Sequence, residues 1–159
     1  MPVQDKTSAR IKVAGLALSA AALVSIALHE SYKESAYIPV KGDVPTIGFG
    51  TTEGVKMGDR TTPERALVRL LADASKYEQA VRECAPVPMY QYEFDAYVSL
   101  TYNIGTSAFC KSTLARKLRA GDYEGACKEI LRWDKFQGKS LRGLTIRREA
   151  EYKQCIGQQ

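Results

Sequence analysis

The stretch "LHESYKESAYIPVKGDVPTIGFGTT", residues 28–52, decides how the rest of the chain is read. It opens on a helix-compatible segment carrying Glu30 and Glu34. A Pro/Gly-rich region then leads to Asp43, Thr46 and the Gly48-Phe49-Gly50 bend. The chain shows no Ser/His nucleophile pairing, no metal-ligand spacing and no phosphate loop, so carboxylates are the chemistry that remains. A Glu on a helix and an Asp on a neighbouring β-turn can face each other across a cleft. One, protonated, gives a proton to a leaving oxygen while the other assists water or steadies positive charge, as cleavage of a glycosidic bond requires. The plainer alternative is two solvated surface carboxylates. Glu34, four residues after Glu30, would share its helix flank and repel it, and reads as solvated.

Directly before this stretch, Val13 to Leu28 carries no charge across 16 residues, and Lys6, Arg10 and Lys12 outweigh Asp5 ahead of it. Positive charge on the near side keeps an N-terminus cytoplasmic. The run is weakly apolar, with six alanines, one glycine and two serines. As a helix it would span roughly 24 Å at about 1.5 Å per residue, short of the roughly 30 Å hydrocarbon core. Three readings follow: a buried core helix, a signal peptide cleaved after Ser25-Ile26-Ala27, or an uncleaved, marginal anchor able to leave the membrane and pack into the soluble fold.

With 159 residues, 45% apolar and 26% charged, the composition is that of one globular domain. The net charge of +5 favours an anionic partner, and the excess lies late, with twelve Lys/Arg against six Asp/Glu from Cys110 onward. No nucleic-acid-binding signature accompanies it. Cys84, Cys110, Cys127 and Cys155 all follow the apolar run, so a single membrane crossing would place all four in an oxidising space. Their pairing is open, as is the alternative of four reduced, buried thiols. There is no CxxC, and His29 is the one histidine, so neither metal nor cofactor is expected.

The remainder reads as mostly helical. Thr61-Thr62-Pro63-Glu64 supplies a helix start, and Leu67, Leu70, Leu71, Ala74 and Val81 recur at helical spacing as far as "CAPVP". Further helices are expected over Tyr90–Ile104 closed by Gly105, Ser112–Ala120 stopped by Gly121, Tyr123–Trp133 capped by Asp122, and about Leu141–Cys155. Strands are expected only within 37–60.

Several of these stretches, in this order, resemble phage-type lysozymes of glycoside hydrolase family 24. Glu30 to Tyr37 with "TIGFG" at 46–50 is similar to the family's active-site opening. "YNIG" at 102–105 with Phe109, "RW" at 132–133 and "GLTIRRE" at 143–149 are similar to its later signatures. The weak N-terminal run with downstream cysteines looks like the signal-anchor-release endolysins of that family. The resemblance implies an α+β, mostly α fold: a small β-containing lobe (about 37–60) and a helical lobe (about 61–159), with the active-site cleft between them. Residues 1–28 would be the signal-anchor-release segment and 29–159 the catalytic domain. It implies a muramidase acting on peptidoglycan during host lysis, held as an inactive precursor at the inner membrane through residues 13–28, then soluble in the periplasm, and monomeric. Glu30 would be the general acid, and Thr46 would hold the attacking water beside a carboxylate. Inverting chemistry would set the carboxylates about 6.5–9.5 Å apart. The family's usual aspartate position falls on Pro39 here. Asp43, the sole carboxylate between Tyr37 and Thr46, takes that role by exclusion, against the alternative that it shapes a turn. Gly50, Thr51, Tyr102, Asn103 and Phe109 are the expected substrate contacts. Thr51 stands where many relatives carry histidine. Arg142, Arg147 or Arg148 is the expected ion-pair partner of Glu30. A lytic transglycosylase and a non-catalytic, membrane-tethered wall-binding protein are the competing functions.

Overall fold

The computed structural model describes residues 9–158. After a single 3-10 turn at Val13–Gly15, the elements are α1 (Ala20–Glu30), β1 (Lys33–Tyr37), β2 (Thr46–Gly48), α2 (Pro63–Cys84), α3 (Gln91–Ile104), α4 (Thr106–Cys110), α5 (Thr113–Arg119), α6 (Tyr123–Ile130), β3 (Lys135–Phe136), β4 (Lys139–Ser140) and α7 (Arg142–Cys155). This is the expected α+β, mostly helical architecture. The described residues form two compact units, residues 20–76 and residues 77–158 with 9–19, and the division falls inside α2.

Helix starts follow the capping residues. Thr62 Oγ1 accepts from Arg65 N (3.3 Å) at α2, Ser112 Oγ from Ala115 N (3.0 Å) at α5, and Asp122 Oδ1 from Gly125 N (2.9 Å) at α6. Each meets an amide the helix cannot satisfy itself. Gly105 (φ 92°) and Gly121 (φ 79°) take the left-handed backbone that closes α3 and α5.

The helical unit is built on a core in which Phe94, Tyr97, Leu100, Phe109, Leu114 and Leu118 are almost wholly buried. Val13 and Leu16, from the start of the apolar run, belong to the same core. Two disulfides resolve the open pairing, Cys84–Cys110 and Cys127–Cys155, the second joining α6 to α7.

In the other unit β1 and β2 form an antiparallel ribbon, with Lys33 opposite Gly48 and Tyr37 opposite Thr46 and an irregularity between. The backbone at 59–61 lies along β1: Ala36 N donates to Asp59 O (3.0 Å) and Thr61 N to Glu34 O (2.9 Å).

Four sequence expectations are corrected. The apolar run is not one helix. It breaks into the turn at Val13–Gly15, extended chain, and α1 from Ala20, and among the described residues no helix is long and apolar enough to cross a membrane. Burial of Val13 and Leu16, together with hydrogen bonds that capture the backbone of 16–19, outcompetes helix continuity there. Glu34 is on β1 rather than on the helix of Glu30, because Ser31 (φ 53°) turns the chain after α1, and Glu34 pairs with Arg60. The first strand begins at Lys33, ahead of the expected 37. The β3–β4 hairpin lies inside what read as a helical lobe. Its tip, Gln137 (φ 50°) and Gly138 (φ 79°), has the two positive φ values of a type I′ turn.

Candidate active site

Glu30 is the last residue of α1 and is half-buried. The C-terminal end of the helix, with its unpaired backbone carbonyls, lies there. Ser31 then reverses the chain so that β1 leaves directly from the end of α1.

Thr46 opens β2, is 7% exposed, and donates through Oγ1 to Val44 O (3.2 Å). Asp43 lies in the exposed loop joining the two strands, where Gly42 adopts φ 90°. Its amide donates to Val40 O (2.9 Å), and its Oδ1 accepts from Val44 N (2.8 Å). One carboxylate oxygen is thus engaged within the turn, while the side chain stays open to solvent. The ribbon register places Glu30 beyond its Lys33–Gly48 end and Asp43 beyond its Tyr37–Thr46 end.

Gly48 and Gly50 take φ values of 65° and 91°. A Cβ at Gly48 would stand 2.8 Å from Ala66 Cβ of α2, so glycine is required there by space as well as by conformation. Between them the chain bends tightly enough for Ile47 and Thr51 to exchange two backbone hydrogen bonds (2.9 and 3.0 Å). Thr51 is 3% exposed, and its hydroxyl is donated to Asp73 Oδ2 at 2.6 Å. Asp73 is a site neighbour that the sequence reading missed; its place on α2, a long way along the chain, carried no local signal.

Tyr102 and Asn103 end α3 in the helical unit. The Tyr102 ring lies tilted against Tyr77, centroids 4.9 Å apart, and Asn103 Oδ1 accepts from Arg148 Nη1 (2.9 Å). Arg148 also ion-pairs with Glu151 (2.8 Å), as does Arg147 (3.2 Å), and Ser99 Oγ donates to the same carboxylate (2.7 Å). Burial pushes the Glu151 carboxyl up, and the two arginines, Arg148 the more strongly, pull it back. The "GLTIRRE" motif thus supports the end of α3 through a buried ionic group. Phe109 is completely buried, so it can shape a sugar site only from beneath.

A pocket of about 230 Å³ within the β-containing unit is lined by Thr51, Arg60, Arg65 and Arg69 among others, and contains none of Glu30, Asp43 or Thr46. Arg60 pairs with Glu34, and Arg69 donates to Glu53 O (2.6 Å). Among the described residues there is no group of three or more His, Cys, Asp or Glu arranged to hold a metal.

Comparison with known proteins adds independent support. The family model described as "Phage lysozyme" matches residues 27–151. The SAR-endolysin of Pseudomonas phage phiKMV is 36% identical over 141 residues, covering 86% of this chain and 87% of that one. Among solved structures, the endolysin of Escherichia coli O157:H7 phage FAHEc1 superposes with a TM-score of 0.78 at 37% identity, covering 89% of this chain and 94% of that one. The muramidase domain of SpmX from Asticaccaulis excentricus gives a TM-score of 0.83 at 29% identity, covering 89% and 98%. With the matched segment beginning just ahead of Glu30 and running through Glu151, this chain belongs to the phage lysozyme family, and is a glycoside hydrolase of the endolysin kind.

Proposed function

We propose that this endolysin is a muramidase. It hydrolyses the β-1,4 bond between N-acetylmuramic acid and N-acetylglucosamine of peptidoglycan, acting as a monomer. The observation that carries this reading is the join of α1 to the β-ribbon: a half-buried Glu30 at a helix C-terminus, followed at once by the ribbon that holds Thr46 and Asp43. Glu30 is the general acid that protonates the leaving oxygen. Thr46 holds the attacking water, and the free oxygen of Asp43 assists it, inverting the anomeric centre. Gly50, Tyr102 and Asn103 contact the sugars, and the buried Thr51, held by Asp73, shapes the site from beneath as Phe109 does.

The test is turbidity loss of outer-membrane-permeabilised Gram-negative cells by wild type and Glu30→Gln, with circular dichroism confirming that both are folded. A loss of roughly 10²–10⁴-fold in clearing rate is expected. Equal clearing would remove Glu30 from the mechanism, and no clearing by either would bring the wall-binding alternative forward. A reducing-end product, rather than an anhydro sugar, separates hydrolysis from the transglycosylase reaction.

The apolar run serves first as a membrane anchor, and the fold described above is its released form. Similarity to a SAR-endolysin supports this, as does α1 itself: Val24 and Leu28, one turn apart, are 51% and 80% exposed, an apolar stripe suited to lipid. Until release, residues 13–28 span the inner membrane and Glu30 is held at its surface. Release then frees the enzyme into the periplasm. Replacing Ala20, Ala21 and Ala22 with leucine is expected to hold the protein in membranes and suppress lysis. Lysis on schedule would argue against the anchor.

A further inference from the structure

Arg10 stands in the basic stretch ahead of the apolar run, yet a buried carboxylate and two aromatic rings hold its guanidinium. Its Nη2 donates to Glu93 Oε1 at 2.8 Å, and its Nε lies 3.0 Å from Oε2 and 3.2 Å from Oε1. The guanidinium carbon lies 3.7 Å from the ring centroid of Tyr123 and 4.6 Å from that of Tyr90. A bidentate carboxylate with aromatic faces against the same planar cation suits arginine and not the compact ammonium of lysine. Hydrogen bonding to Glu93 is the main reason that the Arg10 pKa is raised above its ordinary value.

Glu93 is only 3% exposed and also accepts from Tyr90 N (2.9 Å), so the group that binds Arg10 is the one that caps α3. The following residues are fastened in series. Ile11 exchanges two backbone hydrogen bonds with Met89 (3.0 and 2.9 Å). Arg82 donates to Leu16 O (2.7 Å), and Gln91 to Ala17 O (2.8 Å). Leu18 N donates to Glu78 (2.9 Å), and Ser19 gives both its amide and its hydroxyl to Asp95 (3.0 and 2.7 Å).

We propose that Tyr90, Glu93 and Tyr123 form a guanidinium receptor that Arg10 occupies only after it has been carried across the membrane, and that its capture makes release of the N-terminal segment lasting. The proposal rests on the anchor reading above. If residues 13–28 span the bilayer with the basic end cytoplasmic, Arg10 and its receptor are on opposite sides. The receptor then offers a buried, hydrogen-bonded counter-charge to a charged residue whose crossing is costly. Lys12 is the internal control: it belongs to the same basic stretch and is exposed, and no side-chain partner is described for it.

The experiment uses the full-length exported protein as wild type, Arg10→Gln, Arg10→Lys, Lys12→Gln, Tyr123→Leu and Tyr123→Phe. Three quantities are read: the membrane-pelleted fraction, the thermal midpoint of the soluble protein, and the exchange rate of the Ile11 amide. Arg10→Gln, Arg10→Lys and Tyr123→Leu are expected to lower the midpoint by roughly 5 °C or more. They are also expected to speed Ile11 exchange at least about tenfold and to enlarge the membrane-held fraction. Lys12→Gln should leave the midpoint and the exchange rate near wild type. Tyr123→Phe, which keeps the ring against Arg10 but gives up the hydrogen bond from the Tyr123 hydroxyl to Pro88 O (2.6 Å), should fall between wild type and Tyr123→Leu. Equal behaviour of Arg10→Gln and Lys12→Gln would overturn the receptor, since both remove one charge from the basic stretch. So would a silent Tyr123→Leu, which leaves that stretch intact. Wild type that never pellets with membranes would defeat the anchor reading, and with it the timing of capture, even with the thermal and exchange differences intact.

Discussion

The helical unit gathers eighteen buried apolar residues into one core cluster, tied by both disulfides; the corresponding cluster in the β-containing unit is Ala36, Ile47 and Val55. Charge divides just as unevenly. Residues 1–19 with 77–159 carry sixteen Lys/Arg against eleven Asp/Glu, whereas residues 20–76 carry seven of each. The thinly cored, neutral unit nevertheless holds Glu30, Asp43 and Thr46, on a helix end, a loop and a strand of three residues. Outside its three-residue cluster this unit also buries Ala22, Ile26, Ala66, Leu70 and Ala74, so its apolar core is smaller than that of the helical unit, and a smaller core opens at lower free-energy cost. The contrast teaches that the helical unit carries the larger core and the net positive charge, while the proposed reacting groups are carried on the unit with the smaller core.

Mutations can break or sharpen that contrast. The largest effect is expected from Leu118→Ala, in the middle of the helical core, at about 3–4 kcal/mol. Val55→Ala, in the small cluster, should cost about half as much, and urea denaturation with a common m-value measures both. If the two costs came out equal, the β-containing unit would be better packed than its three-residue cluster shows.

Next is replacement of Cys127 and Cys155 by serine, which opens a loop of sequence separation 28 and should cost about 3 kcal/mol. Amide exchange should accelerate in α6 and α7 and hold steady in β1 and β2; uniform acceleration would mean that the units do not unfold separately.

Gly48→Ala should cost about 2 kcal/mol, combining a left-handed φ with a Cβ forced onto Ala66. The loss should be confined to the β-containing unit and accompanied by slower clearing of cells. A stable, fully active Gly48→Ala would show that the bend tolerates a shift of α2.

The smallest effect belongs to Glu34→Gln. The pair with Arg60 is exposed on both sides, so a change below about 0.5 kcal/mol is expected by thermal melting.

What the sequence determined by itself is what short segments decide alone. Thr62, Ser112 and Asp122 begin helices because their side chains reach amides only three residues on, and Gly105 and Gly121 end them because a left-handed residue costs glycine little. The Glu30-to-Gly50 pattern and the later motifs were enough to indicate the family. The β3–β4 hairpin had a local signal, Gln137-Gly138 between two short strands, that helical periodicity on either side obscured.

Tertiary structure decided whatever depends on partners far along the chain. The disulfide pairing, the Asp73 that holds Thr51, and the arginines gathered by Glu151 join residues 22 to 52 positions apart or are fixed by such joins. The apolar run is the clearest instance. Its composition permits a helix in lipid or in a core, and propensity does not separate them. Met89, Glu93 and Asp95 draw residues 10–19 into a strap that holds only the single 3-10 turn at Val13–Gly15, and helix resumes only at Ala20. Long-range hydrogen bonds and burial outweigh a local preference of a few tenths of a kcal/mol per residue, and no window short enough to show helical periodicity contains them.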